Sequence, residues 1–307
     1  MKRDEISSSQ SNLTPPQLTL LYPTRWRDYE LVDSGNGHKL ERYGHYLFLR
    51  PEPQAMWSPA HPEKSWESAH AVFQPTQEES GGHWKKNRPM DESWVMHFNQ
   101  LRFRAQLTAG RHLGVFPEQA CHWDWISNKL GDVRRPVQIL NLFGYTGLAT
   151  LAAARSGAKV THVDASNKAI TWARENQALS GLNNHPVRWI VDDALKFVQR
   201  EINRKVHYDG IILDPPKFGR GPRGEVWEFF DLFPRLMHLC RDVLSPQPLF
   251  IVVTAYAIRA SASSLFYLLT DLLAELGGEV TAGELGLIES SASRIVSTAL
   301  YARWEAG

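Results

Sequence analysis

Cysteine is scarce in this chain: Cys121 and Cys240 are the two thiols among 307 residues. Two thiols exclude a disulfide framework and a four-cysteine zinc site. No apolar run approaches the ~20 residues that a membrane-spanning helix needs. The polar start MKRDEISSSQ lacks the apolar segment of a secretory signal. We therefore expect a cytoplasmic protein that spans no membrane.

An excess of charge of one sign is also missing. The 34 Lys and Arg residues against 33 Asp and Glu leave a net charge of +1. Any nucleic acid partner must therefore meet a local basic patch rather than a global field. The hydrophobic share of 43% and the charged share of 22% exclude a disordered or fibrous chain.

The pattern divides the chain into three parts. Residues 1–18 are polar and Pro-containing, which predicts a flexible tail. Residues 19–110 hold short β-like runs between Pro and Gly breakers and five tryptophans, which predicts a β-rich domain for substrate recognition. Residues 111–307 form the third part, in which strand and helix patterns alternate from about Val137 and two β runs follow at 279–288 and 294–304. Such alternation predicts an α/β fold with a parallel sheet covered on both faces.

Ligands of such sheets bind outside the carboxyl ends of the strands. The first strand, 137–143, leads into the loop Gly144-Tyr145-Thr146-Gly147 and then a helix. Glycines there let a ligand approach the backbone and the helix N-terminus, although a tight turn uses the same residues. The loop has the form Gly-x-x-Gly, which disfavours the pyrophosphate of a dinucleotide.

Acidic residues end the next two strands. Asp164 lies twenty positions after Gly144, where a carboxylate can accept hydrogen bonds from a ribose diol. Asp192 and Asp193 end the third strand, where either one can meet an adenine amino group or begin a helix as its N-cap. The three strand ends together suit a nucleoside with a short charged tail, and S-adenosylmethionine (SAM) fits that description.

A fourth strand ends in Asp214-Pro215-Pro216-Lys217-Phe218. A Pro-Pro pair is rigid and presents carbonyl acceptors without N–H donors. With a carboxylate beside it, such a segment suits an amino group that must be held during a transfer, and Phe218 can stack on a planar base. The alternative is a rigid strand exit with a core Phe. The segment 219–224 is predicted to be a mobile basic loop, whether a lid, a phosphate contact or a solvated turn.

A basic patch covers residues 81–112, whose net charge is +4. Arg102 and Arg104 alternate with apolar residues and share one strand face. Trp84 and Trp94 interleave with the charges. Basic and aromatic side chains together are typical of RNA binding, but the tryptophans can equally form the core of a small β domain.

These runs resemble a known family. NLFGYTG, VDAS, DDA and LDPPKF are similar to the class I SAM-dependent methyltransferases, and within them to bacterial 23S rRNA methyltransferases with a DPPKF motif. The stretch 112–119 resembles a signature of the same group. The resemblance implies a Rossmann-like seven-stranded sheet whose last strand is antiparallel, preceded here by a smaller β-rich domain, with 111–307 as the catalytic domain. It also implies ribosomal RNA as substrate.

The resemblance and the residue patterns described above together give the expected site residues. Those expected to bind SAM are Phe116, Gln119, Asn141, Gly144, Tyr145, Thr146, Gly147, Asp164, Ala165, Ser166, Asp192, Asp193, Ala194 and Asp214. Those expected at the reaction centre are Asp214, Pro215, Pro216, Lys217 and Phe218. Arg102, Arg104, Phe218, Arg220 and Arg223 are the expected substrate contacts. No His, Cys or carboxylate spacing matches a metal site, so we expect no metal.

The absence of a cysteine at one position bears on whether the methyl group goes to C5 of a pyrimidine or to a nitrogen. C5 of a pyrimidine becomes nucleophilic only after a thiolate adds to the ring. The C5-methylating relatives have a cysteine after the fifth strand, where this chain reads Val253-Thr254-Ala255-Tyr256. Cys121, next to His122, is the alternative thiol. We therefore expect methylation at nitrogen. A protein or small-molecule acceptor, or a non-catalytic nucleotide-binding module, remains an alternative function.

Overall fold

A computed structural model describes residues 16–76 and 81–307 of the protein. Its first part is mostly β structure with one short helix. The elements are β1 (Leu18–Leu21), β2 (Tyr29–Gly35), β3 (His38–Tyr43), β4 (Tyr46–Pro51), α1 (Glu63–Trp66), β5 (Ala71–Pro75), β6 (Gly82–Lys86), β7 (Ser93–Phe98) and β8 (Leu101–Gln106).

The second part alternates strands and helices. The elements are a 3₁₀ turn (Pro117–Gln119), α2 (Ala120–Gly131), β9 (Gln138–Leu142), α3 (Leu148–Arg155), β10 (Lys159–Asp164), α4 (Asn167–Leu179), β11 (Val187–Val191), α5 (Ala194–Asn203), β12 (Gly210–Leu213), β13 (Phe218–Arg220), β14 (Val226–Glu228), α6 (Phe229–Asp242), β15 (Phe250–Ala255), α7 (Ala262–Leu273), a 3₁₀ turn (Ala274–Leu276), β16 (Glu279–Ile288) and β17 (Ile295–Glu305). Within the described ranges, no helix combines the length and the apolar character needed to cross a bilayer.

One eight-stranded sheet organises the second part. Its strand order is β1-β16-β17-β15-β12-β9-β10-β11. β17 runs antiparallel to both of its neighbours, while the pairs from β15 through β11 are parallel. The predicted seven-stranded sheet with an antiparallel last strand is therefore confirmed, and β1 adds an eighth strand at its edge.

This eighth strand comes from the N-terminal end of the described residues. Leu18–Leu21 pairs in parallel with residues 282–285 of β16, although we placed residues 18 and 19 at the boundary between a flexible tail and a separate β domain. The edge of β16 offers unpaired backbone groups, and a four-residue strand satisfies them. Residues 1–15 of the predicted tail lie outside the described residues.

The N-terminal strands share a core with the α/β part. β2 to β6 form a five-stranded sheet and β7 with β8 a hairpin. Buried Trp94 and Phe103 belong to one apolar cluster with Trp123 and Leu151 of the α/β part. Trp84 packs edge-on against Phe48 of the same cluster. Trp94 is thus core structure and is not free to stack on bases, whereas Trp84 is partly buried against the same cluster.

Local sequence signals place the helices beside the strand ends. Ser166 caps α4 by accepting from the Ala169 N–H, and Asp193 caps α5 by accepting from the Lys196 N–H.

The prediction of a mobile basic loop at residues 219–224 is wrong in part. β13 and β14 pair as an antiparallel hairpin, and part of the segment belongs to β13. The buried Trp227 anchors this hairpin by donating to the Pro216 carbonyl, 2.7 Å away.

The close pairing of β1 with β16 predicts that a side chain at Gly283 of β16 destabilises the protein. A Cβ at Gly283 would collide with the Thr19 carbonyl of β1. Gly283→Ala should therefore lower the free energy of unfolding by about 1–3 kcal/mol, measured in urea. The same substitution in a chain lacking residues 1–21 is the control and should cost much less. Equal costs in both chains would contradict the pairing.

Candidate active site

A cavity of about 580 Å³ opens at the carboxyl ends of β9, β10, β11 and β12. Thirteen of the residues predicted from sequence line it: Phe116, Gln119, Tyr145, Asp164, Ala165, Ser166, Asp192, Asp193, Ala194, Asp214, Pro215, Pro216 and Arg220. The sheet brings them together because its parallel strands end at one edge.

The loop after β9 has an unusual backbone. Phe143, Tyr145 and Gly147 all have positive φ angles, of 58°, 50° and 86°. Gly144 is required for another reason, since a Cβ there would collide with the buried ring of His162. This tight course turns the Tyr145 ring into the cavity, 5.7 Å from the ring of Phe116.

The other predicted residues of β9 and of this loop lie outside the lining of the cavity. Asn141 donates to the Thr150 hydroxyl at 2.8 Å, and Thr146 donates to the Gly114 carbonyl at 2.7 Å. Asn141, Gly144 and Thr146 line a smaller neighbouring cavity of about 50 Å³. Gly147 lines neither cavity and is the N-cap residue of α3.

Asp164 is oriented by backbone donors. Its two oxygens accept from the N–H groups of Tyr145, at 2.9 Å, and Ser166, at 2.8 Å. Burial raises the pKa of Asp164, and these hydrogen bonds oppose the rise. Each carboxylate oxygen has a second lone pair, so the group can accept further hydrogen bonds from a molecule in the cavity.

Asp192 and Asp193 both line the cavity but have different partners. Asp192 accepts from the Asp193 N–H at 2.9 Å and forms an ion pair with Arg200. Asp193 accepts from the Lys196 N–H at 2.9 Å as the cap of α5. The capping role foreseen for Asp193 is therefore present, together with a place in the cavity wall.

Asp214 lies at the end of β12. The Gln119 side-chain amide donates to it at 3.1 Å, and the Thr254 hydroxyl donates to the Gln119 oxygen at 3.3 Å. Burial and the nearby Glu118 carboxylate raise the pKa of Asp214 to about 7, and the Gln119 hydrogen bond opposes them. Asp214 is therefore poised to exchange a proton near neutral pH.

Of the residues predicted for the reaction centre and for substrate binding, some line the cavity and others lie outside its lining. Pro216 lines the cavity, but its carbonyl accepts from Trp227 and is engaged within the protein. Phe218 is 53% exposed and, with Lys217 and Arg223, lies outside the cavity lining. Arg102 and Arg104 lie outside it as well. Their strand, β8, packs on α4, with its backbone bonded to Ser180 and Asn176.

Sequence reasoning missed several lining residues. They are Thr108, Gly110, His112, Glu118, Phe143, Val163, Gly219, Gly221, Trp227, Thr254, Tyr256 and Ala299. Glu118 belongs to the stretch 112–119, from which the expected SAM-binding residues are Phe116 and Gln119 alone. Tyr256 directly follows β15, so the rule that ligands bind at strand ends was a usable signal for it.

Both thiols lie outside the cavity lining. Burial raises the pKa of Cys121 to about 12, and it also raises the pKa of the fully buried Cys240. The neighbouring His122 cannot serve as a base for Cys121, because burial and Arg303 hold the pKa of His122 well below its usual range, and Arg303 donates to its Nδ1 at 2.9 Å. In the described part of the chain, no three His, Cys, Asp or Glu side chains group as metal ligands.

Comparison with known proteins identifies the family. A family model described as S-adenosylmethionine-dependent methyltransferase matches residues 53–257. The chain belongs to this family. A solved structure of a SAM-dependent methyltransferase from Agrobacterium tumefaciens is 48% identical, covers 94% of this chain and 93% of its own, and superimposes with a TM-score of 0.90. This methyltransferase therefore uses SAM.

More distant relatives carry more specific names. The ribosomal RNA large subunit methyltransferase K/L of Shewanella frigidimarina is 38% identical over 126 residues, which are 40% of this chain and 17% of that protein. The corresponding protein of Colwellia psychrerythraea is 34% identical over 46% of this chain and 20% of its own length. The matched region is thus a fifth or less of these relatives. The structure of SMU.776 complexed with SAH shares the fold, with a TM-score of 0.64 at 17% identity, covering 87% of this chain and 71% of that one.

Proposed function

We propose that this methyltransferase transfers the methyl group of SAM to a base nitrogen of RNA, and that this RNA is ribosomal RNA. The observation that supports this best is the position of Asp214, a carboxyl with a pKa near neutrality on the wall of the main cavity. SAM supplies an electrophilic methyl group on a sulfonium. The chain's own residues must align the acceptor and take up the proton that it loses.

The cavity has the chemistry of a SAM site. Asp164 holds the ribose hydroxyls with the lone pairs left by its two backbone hydrogen bonds. Asp192 or Asp193 accepts from the adenine amino group, between the apolar surfaces of Val163 and Ala194. The smaller cavity beside Asn141 and Thr146 accommodates part of the methionine tail.

Asp164→Ala tests the donor site. Loss of two charge-assisted hydrogen bonds should weaken SAH binding by at least about fivefold, measured by isothermal titration. Asp231→Ala, which removes an exposed carboxylate of α6, is the matched control and should bind SAH as the unmodified protein does. Unchanged SAH affinity in Asp164→Ala would mean that the ribose lies elsewhere.

Nitrogen is the proposed target because the site holds a carboxyl and no thiol. Asp214 can accept a hydrogen bond from an amino group and then its proton as the N–CH₃ bond forms and the C–S bond breaks. Alignment of the nitrogen lone pair with the departing sulfur can lower the barrier by roughly 7–11 kcal/mol. Both cysteines are protonated at neutral pH and lie outside the cavity lining.

The double variant Cys121→Ala/Cys240→Ala should keep methyl transfer within about twofold, since no covalent thiol adduct is needed. The assay is the transfer of tritiated methyl groups, with circular dichroism to check folding, because Cys240 is in the core. Complete loss of transfer in a folded double variant would indicate C5 chemistry instead.

RNA is the proposed acceptor because of the relatives' names and of a basic edge strand linked to the cavity wall. Lys85 and Lys86 are exposed on β6, an edge strand of the N-terminal sheet. The neighbouring Trp84 donates to the carbonyl of Gly110, a residue of the cavity wall, at 3.1 Å. Through this contact β6 adjoins the segment that forms the wall, so its lysines can hold phosphates while a base enters, and Arg220 lines the cavity itself.

The double variant Lys85→Gln/Lys86→Gln should weaken RNA binding and reduce the slope of log affinity against log salt by about 1–2, because phosphate contacts are lost. Its SAH affinity should not change. The matched control is Lys159→Gln/Lys205→Gln. Lys159 begins β10, at the sheet edge opposite the cavity, and Lys205 is exposed just after α5.

The acceptor itself is identified by labelling. Tritiated SAM is incubated with total RNA and with protein extract from a strain that lacks this protein, and labelled nucleosides are analysed by mass spectrometry. We expect an N-methylated nucleoside from ribosomal RNA. Label in protein or in small molecules, with none in RNA, would contradict the RNA proposal and leave the methyltransferase activity intact.

A further inference from the structure

Four aromatic side chains form a row along one wall of the main cavity: Tyr145, Phe116, His112 and Tyr256. The ring of Phe116 lies 5.7 Å from that of Tyr145 and 4.6 Å from that of His112. The ring of His112 lies 5.8 Å from that of Tyr256. All four side chains are partly exposed, so the row offers ring surface to a molecule in the cavity.

The strand order places the two ends of this row in different parts of the cavity. Tyr145 lies at the ribose end, because its N–H donates to Asp164, which ends β10. Tyr256 follows β15, and the strands next to it are β12, β9, β10 and β11 in that order. At the usual spacing of neighbouring strands, β15 lies about 5 Å from β12 but about 14 Å from β10 and about 19 Å from β11. The end formed by His112 and Tyr256 is therefore remote from the proposed ribose and adenine contacts.

The same end of the row adjoins Asp214. β12 and β15 pair in parallel up to the residues just before Asp214 and Thr254, so these two side chains follow at the same level of the sheet. Gln119 joins them, since it donates to Asp214 at 3.1 Å and accepts from Thr254 at 3.3 Å. Tyr256 comes two residues after Thr254. Its ring and the proposed proton acceptor thus border one part of the cavity.

The ring of Tyr256 is held in place from behind by Arg111. The guanidinium carbon of Arg111 lies over this ring, 5.3 Å from its centre, which is a stabilising cation–π arrangement. The backbone of Arg111 is fixed in turn, because its carbonyl accepts from Arg50 at 2.9 Å and Arg50 forms an ion pair with the buried Glu41. A ring that is already positioned loses little conformational entropy when a ligand packs on it.

His112 adds polar atoms to this apolar surface. Its two ring nitrogens have no hydrogen-bond partner within residues 16–76 and 81–307. Burial, together with Arg50 and Arg111, holds the pKa of His112 well below its usual range, so the ring is neutral. A neutral imidazole presents one donor and one acceptor. Both are what the edge of a nucleobase, with its own donors and acceptors, needs.

We propose that His112 and Tyr256 form the acceptor subsite of the cavity. The base that receives the methyl group packs on the ring of Tyr256, and the nitrogens of His112 bind its polar edge. Asp214 then faces the reacting nitrogen, and Phe116 lies between this subsite and the donor. These rings do within the cavity what was expected of Phe218, which lies outside its lining. The inference rests on the proposed function, because it takes a base of RNA as the acceptor.

Tyr256→Leu removes the ring and keeps an apolar side chain. We expect it to lower kcat/KM for total ribosomal RNA by about fivefold or more, because base stacking is lost. The assay is the transfer of tritiated methyl groups at several salt concentrations, and the slope of log kcat/KM against log salt should not change, since no phosphate contact is removed. Affinity for SAH should stay within about twofold. Tyr256→Phe keeps the ring and should retain at least about half of kcat/KM. Tyr267→Leu, at an exposed position of α7, is the matched control and should change none of these quantities.

His112→Phe tests the polar half of the subsite independently of Tyr256. It keeps a ring and removes both nitrogens, so kcat/KM for ribosomal RNA should fall about twofold to tenfold with SAH affinity unchanged. His112→Gln, which again offers a donor and an acceptor, should recover part of the loss. Circular dichroism melts check that each variant is folded.

The outcomes separate this inference from the function on which it rests. If the unmodified protein labels ribosomal RNA and both Tyr256→Leu and His112→Phe do so equally well, the subsite is wrong and the proposed function stands. A fall in SAH affinity that matches the fall in kcat/KM would assign the rings to the donor and would also overturn the subsite. If the unmodified protein labels no RNA, the proposed function fails and the subsite fails with it.

Discussion

The whole site depends on the parallel register of four adjacent strands of the large sheet. β9, β10, β11 and β12 run in one direction, so the residues that follow them meet at one edge of the sheet. Asp164, Asp193 and Asp214 are far apart in sequence and share one cavity for this reason alone. Backbone N–H groups, a helix cap and a Gln amide then orient the three carboxyls. A sheet with a different strand order would scatter them.

The N-terminal strands are a structural part of this site. Their aromatic side chains pack in one apolar cluster with α2 and α3, which fixes the segment that runs from β8 to the 3₁₀ turn. That segment supplies Thr108, Gly110, His112, Phe116 and Glu118 to the cavity wall. The wall opposite the sheet is thus built by residues that precede the alternating α/β pattern. Apolar burial, the main stabilising term in folding, here also closes the active site.

Charge in the cavity is arranged unequally. Acid groups face it from the sheet and from the 3₁₀ turn, whereas the cations nearest Glu118 lie toward the N-terminal sheet. A SAM-dependent enzyme must accept a cation, and the carboxyl groups that line the cavity favour its binding. Exposed basic residues lie on β6 and on the β13–β14 hairpin, where Arg220 also lines the cavity. A basic residue suited to phosphate thus borders the acidic wall of the cavity.

The sequence by itself determined the alternation of strands and helices and the residues at the strand ends, because hydrophobic periodicity, helix caps and loop glycines are local signals. The seven-stranded sheet and its antiparallel last strand were implied by the resemblance to the methyltransferase family. Tertiary structure alone decided the rest. It paired β1 with β16, buried Trp94 in a shared core with Trp84 packed against that core, and folded the predicted loop into a hairpin on Trp227. It also brought Glu118 and Tyr256 to the cavity and left Arg102 and Phe218 outside it. Such contacts join residues distant in sequence, and no local pattern encodes them.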